Sequence, residues 1–96
     1  MGNVRLSAEE RCAALSLQRA LNEAYQLYHG GCRDAEEILS RVRRILKTEP
    51  LIKVDYVELR DAESLAPVTN MERPALLALA AYVGGTRLID NHVLGR

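Results

Sequence analysis

The chain predicts an α+β domain of two layers, with two antiparallel helices packed on a three-stranded antiparallel sheet. Three observations carry this. Two stretches, starting at Ser7 and at Asp34, set apolar residues at helical spacing behind a capping side chain. The segment from Ile52 alternates apolar and charged residues as a half-buried strand does. The last third is two apolar-rich runs broken by a pair of glycines. Helices followed by strands, with no β-α alternation, give segregated layers.

Ser7-Ala-Glu-Glu10 places a hydroxyl at a helix N-cap and Glu10 three residues on, where its carboxylate can return to the cap's own amide. Ala14, Leu17, Leu21, Ala24 and Tyr28 then recur at alternating spacings of three and four, with Arg19, Asn22, Glu23 and Gln26 on the opposite side. The helix runs for about six turns. Gly30-Gly31 ends it, since glycine reaches the left-handed C-terminal conformation without a Cβ clash. Asp34 followed by Glu37 repeats the cap pattern, and Ala35, Ile38, Leu39, Val42, Ile45 and Leu46 form the stripe of a second helix that Pro50 stops. A link of about four residues turns the two helices back on each other.

Ile52 to Val57 alternates, then the phase slips at Tyr56-Val57, which a bulge or a strand covered on both faces would produce. Asp61 to Pro74 reads as a loop, with one turn of helix expected around Ala62 to Leu65. Ala75 to Val83 suits a buried helix or a buried strand, and its alanines favour helix. The Gly84-Gly85 punctuation before Arg87 to Leu94 makes the pair read as a hairpin with a primed turn. No repeat or low-complexity segment interrupts this order.

A chain of 96 residues and 10.7 kDa has room for one domain. Thirteen basic residues balance thirteen acidic ones, which removes the broad positive field of non-specific nucleic-acid or anionic-membrane binding. With no phenylalanine or tryptophan and four tyrosines, stacking on nucleobases is poorly supplied. Two cysteines are too few for a disulfide framework and fit a reducing compartment. The start MGNVRLSAEER lacks an apolar signal core, and the uncharged run from Pro74 to Thr86 is too short to cross a bilayer, so a soluble, cytoplasmic protein is expected.

Candidate chemistry is sparse. His29 and Cys32, with Cys12, offer ligand types for zinc, but two close ligands are not four, and a helix-end histidine beside ordinary thiols accounts for them. Arg41, Arg43, Arg44 and Lys47 form a basic patch. Cations in a helix's last turns also suit its dipole, and Glu37 sits four residues before Arg41, so a solvated face is the simpler reading. Asp90-Asn91-His92 lies along one strand, where adjacent residues point to opposite faces, and neither a serine nor a cysteine is marked as its partner. Arg87 and Asp90 read as surface or turn residues. Gly30-Gly31 lacks the upstream strand and lysine of a phosphate loop. The residues alone give a small module with no self-contained active site, catalytic residue or metal site.

Three segments in order, Asn3-Val-Arg-Leu-Ser-Ala-Glu-Glu-Arg11, Val54-Asp-Tyr-Val-Glu-Leu-Arg-Asp61 and Gly84-Gly-Thr-Arg-Leu-Ile-Asp-Asn91, resemble the C-terminal domain of the pantothenate synthetase (pantoate-beta-alanine ligase) family. Gly31 to Asp34 and the Ala/Leu-rich run before Gly84 extend the resemblance over residues 3 to 94. The resemblance implies helices on a three-stranded antiparallel sheet, which supports the hairpin. It also implies a parent enzyme that uses ATP and Mg2+ to adenylate pantoate, releasing pyrophosphate, before the β-alanine amine displaces AMP. In that family a large N-terminal domain carries most of the chemistry, and the parent is expected to be a homodimer. The C-terminal domain would be a lid that excludes water from the acyl-adenylate, inactive by itself. Asn3 aligns with the last residue of a Ser-Ser-Arg-Asn-like motif that contacts ATP, so it is the one ATP-binding residue the resemblance carries over. Met1-Gly2 stands where the serines and arginine belong, and Arg5 is the nearest remaining cation. The residues also allow another class of function, a free-standing protein-interaction module that offers a sheet edge or helix face to a partner. Weak homodimerisation through uncovered apolar surface is compatible with either.

Overall fold

The computed structural model describes residues 7–95. In chain order it contains α1 (Ala8–His29), α2 (Ala35–Lys47), β1 (Ile52–Asp61), β2 (Ala75–Val83) and β3 (Thr86–Leu94). The strands form one antiparallel sheet in the order β1-β2-β3, so the last third is a hairpin and the α+β expectation holds.

The capping box opens α1: Ser7 Oγ accepts from Glu10 N at 3.1 Å, and Ser7 N donates to Glu10 Oε1 at 3.0 Å. Its buried stripe is Ala13, Ser16, Leu17, Ala20, Leu21 and Ala24. Ala13 rather than Ala14 lies in the core, and its small side chain, with Ala20 and Ala24, lets α2 approach closely. Gly30 keeps a right-handed φ and Gly31, at φ +107°, makes the left-handed exit. In α2, Asp34 Oδ1 accepts from Glu36 N at 3.0 Å, so the aspartate itself makes the cap described there, one residue earlier than the Glu37 pattern suggests. Ala35, Ile38, Val42 and Leu46 face the core.

The pairing of β1 with β2 shifts between Val54 and Tyr56, so the bulge falls at Asp55, just before the phase slip in the sequence. The inner face of the sheet, under the helices, holds Val57, Leu59, Leu77, Leu79, Ala81, Val83 and Leu94. Each large side chain fully buried there stabilises the fold by roughly 1.5–3 kcal/mol. The outer face carries Tyr56, Leu76, Ala78, Ala80, Tyr82, Ile89 and Val93 by the same alternation.

Residues 62–64 form a single turn closed by Leu65 N donating to Asp61 O at 2.9 Å, the helical-type turn expected there, and it goes no further. Asp61 Oδ1 accepts from Glu63 N and Ser64 N, and Leu65 leaves at φ 62°, a conformation that cannot propagate a right-handed helix. The loop is tied down further along: Ala35 N donates to Thr69 O at 3.0 Å and Met71 N to Arg33 O at 2.8 Å. Met71, 1 % exposed, plugs the core between the sheet and the α1–α2 link. No described helix is long and apolar enough to cross a membrane.

Candidate functional site

Glu10, Asp55, Gly84 and Arg87, from the three segments that carry the family resemblance, lie far apart in the chain and come to one end of the molecule. There the N-terminus of α1 sits on the turn between β2 and β3. Gly84 has φ +62°, and a Cβ at that position would lie 1.8 Å from Glu10 Oε2. The positive φ favours glycine there, and any side chain would also have to displace the Glu10 carboxylate. Glu10 caps α1 with one oxygen and rests against the turn with the other, while Gly84 N donates to Leu51 O at 3.3 Å.

On the outer face at this end, Arg87 reaches across β2 to Asp55. Its Nη2 lies 2.9 Å and its Nε 3.3 Å from Asp55 Oδ2. The bulge re-aims Asp55 for this contact, which links the two outer strands over the central one. The hydrogen bond to Asp55 holds the Arg87 guanidinium above its ordinary pKa, against desolvation. Tyr56 and Tyr82 flank the pair on the same face. An arginine at the turn, read from sequence as a surface residue, thus has a specific partner that only the bulge reveals.

At the other end, Asp61 is an acceptor hub. Backbone N–H groups of Ser64 and then Glu63 hold its carboxyl below the usual carboxylate range against desolvation, and Arg73 adds to them. Arg73 Nη2 lies 3.1 Å from Asp61 Oδ2.

The remaining candidates are dispersed. Cys12 is on the second turn of α1 and His29 at its last residue, about 25 Å apart by helical rise. Both thiols are free, and no three His, Cys, Asp or Glu side chains among the described residues converge on a common point. Arg41 is held by Glu23 at 2.9 Å, in place of the Glu37 pairing that the spacing suggests, and Arg43 Nη2 donates to Val57 O at 3.2 Å. Arg44 and Lys47 border a shallow surface depression with Glu36 and Ser40.

Strand alternation separates Asn91 from its neighbours but leaves Asp90 and His92 on one face. His92 Nε2 is 3.3 Å from Asp90 Oδ1, without the alignment of a hydrogen bond, and Nδ1 is 3.5 Å from the Tyr25 hydroxyl. His29 stacks on Tyr25 at 6.1 Å. The group joins α1 to β3 and has a phenol where a nucleophilic triad would have serine or cysteine. Sequence spacing could not reveal it, because Tyr25 and His92 are 67 residues apart. Asn3 and Arg5 lie outside the described residues.

The family model described as Pantoate-beta-alanine ligase matches residues 2–93. The pantothenate synthetase of Thermotoga petrophila is 48% identical over 93 residues, covering 97% of this chain and 33% of that protein. A bifunctional pantoate ligase/cytidylate kinase of Gloeobacter violaceus is 48% identical over 94 residues, covering 98% of this chain and 18% of the relative. The crystal structure of pantothenate synthetase from Thermus thermophilus superimposes with a TM-score of 0.81 at 30% identity, over 91% of this chain and 31% of that one. The chain thus spans about a third of the length of the pantothenate synthetases it matches. On the family match along residues 2–93, these relatives and the shared fold, the chain belongs to the pantoate-beta-alanine ligase family.

Proposed function

We propose that this chain is the C-terminal lid of an AMP-forming ligase that joins pantoate to β-alanine. In that reaction a pantoate carboxylate oxygen attacks the α-phosphorus of ATP and pyrophosphate leaves. The β-alanine amine then attacks the acyl carbon, loses a proton, and AMP leaves. The observation that carries the reading is coverage: the family match runs along residues 2–93, yet the chain is a third of the length of its relatives.

The residues support a covering role better than a chemical one. β2 is apolar on both faces, as strands are when both faces are covered, while helices lie on only one of them. That pattern fits a domain that packs against a larger domain of the same ligase. The ion and most ATP contacts are assigned to that larger domain, as the family resemblance implies. Asn3 remains the ATP-contacting candidate. The role assigned to this chain is to exclude water while the acyl-adenylate exists, because water competes with the amine for the acyl carbon. Alone, the chain is expected to be inactive, and the parent to be a cytoplasmic homodimer.

The reading is tested by mixing this chain with the separately produced large domain of a relative, adding pantoate, β-alanine and MgATP, and following AMP. AMP from the mixture and from neither half supports it. AMP from this chain alone overturns the lid assignment. A mixture that neither binds nor reacts would favour the free-standing interaction module.

A further inference from the structure

We propose that Glu10 is a positioning residue for ATP: it holds Ser7 with one carboxylate oxygen, rests on the Gly84 turn with the other, and so aims the segment that carries Asn3. This rests on the lid reading above, in which Asn3 is the ATP-contacting residue. Ser7 joins α1 to that segment, and its polar groups are all engaged. Its hydroxyl accepts from Glu10 N at 3.1 Å, its carbonyl accepts from Arg11 N at 2.8 Å, and its own N–H donates to Glu10 Oε1 at 3.0 Å. The first two bonds satisfy amides inside the helix, as any N-cap does. The third acts upstream, because the Ser7 N–H belongs to the planar peptide unit that leads into the segment.

A carboxylate held only by its own helix would move with that helix. Glu10 is instead braced on the sheet. Its Oε2 lies so close to Gly84 that a Cβ there would collide with it. Ser7, Ala8 and Glu9 are exposed, while Glu10 is half-buried, so within this first turn it is the residue that reaches the turn between β2 and β3. That turn is itself tied down. Gly84 N donates to Leu51 O at 3.3 Å, just before β1, and three residues on Arg87 Nη2 holds Asp55 Oδ2 at 2.9 Å across β2. Ser7 is thereby fixed relative to the sheet as well as to α1.

Leverage makes this fixing matter to a ligand. Asn3 is four residues upstream of Ser7, a reach of about 14 Å at full extension. Over that lever a swing of about 10° at Ser7 moves the contact by roughly 2 Å. A misplacement of about 1 Å can already cost on the order of a hundredfold in rate. Loss of Glu10 should therefore be felt at ATP out of proportion to its effect on the fold.

Two measurements test this. One is amide exchange of Ser7 in the full chain; the other is the steady-state kinetics of an enzyme in which this chain replaces the C-terminal third of the Thermotoga petrophila pantothenate synthetase. Glu10→Ala should speed Ser7 exchange and raise KM for ATP about tenfold, with KM for pantoate held within about twofold. Glu10→Gln can make the same capping box and should rescue both readouts. Gly84→Ala displaces the carboxylate and should also raise KM for ATP, and adding it to Glu10→Ala should raise KM little further, since both break one coupling. Asp34→Ala removes the cap of α2 instead, and should leave KM for ATP unchanged. A Ser7 amide indifferent to Glu10→Ala overturns the proposal. So does an active chimera whose KM for ATP is unmoved by Glu10→Ala, or is moved as far by Asp34→Ala. A chimera that folds but releases no AMP overturns the lid reading, and this proposal with it, whatever Ser7 exchange shows.

Discussion

The two faces of the sheet share one backbone and differ in what lies against them. On the inner face Leu77, Leu79 and Val83 are at most 1 % exposed, sealed by α1 and α2, whereas on the outer face Tyr82 is 40 % and Ile89 56 % exposed. The central strand is apolar on both sides. The inner residues hold the fold together, and the outer ones are available for contacts beyond this chain. In a domain of this size, whose total stability is on the order of 5–15 kcal/mol, that division means the two faces should respond very differently to the same kind of mutation.

The largest expected effect is on the inner face. Leu77→Ala leaves a void among fully buried neighbours and should lower stability by about 2–5 kcal/mol, read by urea denaturation. At the seam between the faces, Gly84→Ala combines a left-handed backbone with a collision at Glu10 and should lose about 1–2 kcal/mol. Because the obstruction is the end of a flexible side chain, adding Glu10→Ala should remove the steric part and leave the backbone part. Ile89→Thr, on the outer face, should stay within about 0.5 kcal/mol of the parent chain when measured on dilute protein. A drop comparable to Leu77→Ala would erase the contrast between the faces.

A pH experiment adds the loop to this comparison. The Asp61 carboxyl is held below its ordinary pKa in the folded chain, first by Ser64 N–H, so the unfolded chain binds the proton at higher pH than the folded one. The stabilisation it supplies is present above the unfolded carboxylate pKa and fades as pH falls through the lower, folded value. Asp61→Asn should therefore flatten the acid end of the stability profile and leave neutral-pH unfolding cooperative.

Much of this architecture was legible because local signals and the fold agree. The Ser7 and Glu10 capping box, the glycine exit after His29 and the Gly84-Gly85 turn each name a backbone event that a few adjacent residues decide. The bulge was visible as a broken alternation, although the residue it displaces, Asp55, could be identified only from its partner across the sheet. Met71 was not legible, since a lone apolar residue in a polar loop has no periodicity to mark it. The pairing of Arg87 with Asp55 and of Tyr25 with His92 depends on register and helix placement, which spacing does not encode. The one ATP-binding candidate, Asn3, lies outside the described residues.

A chimera tests the central claim most directly. This chain would replace the corresponding C-terminal third of the Thermotoga petrophila pantothenate synthetase, and AMP release would be compared with the intact enzyme and with the enzyme truncated at the junction. The account predicts that the chimera restores pantoate- and β-alanine-dependent AMP release that the truncated enzyme lacks. A chimera that folds yet is no more active than the truncated enzyme would contradict it.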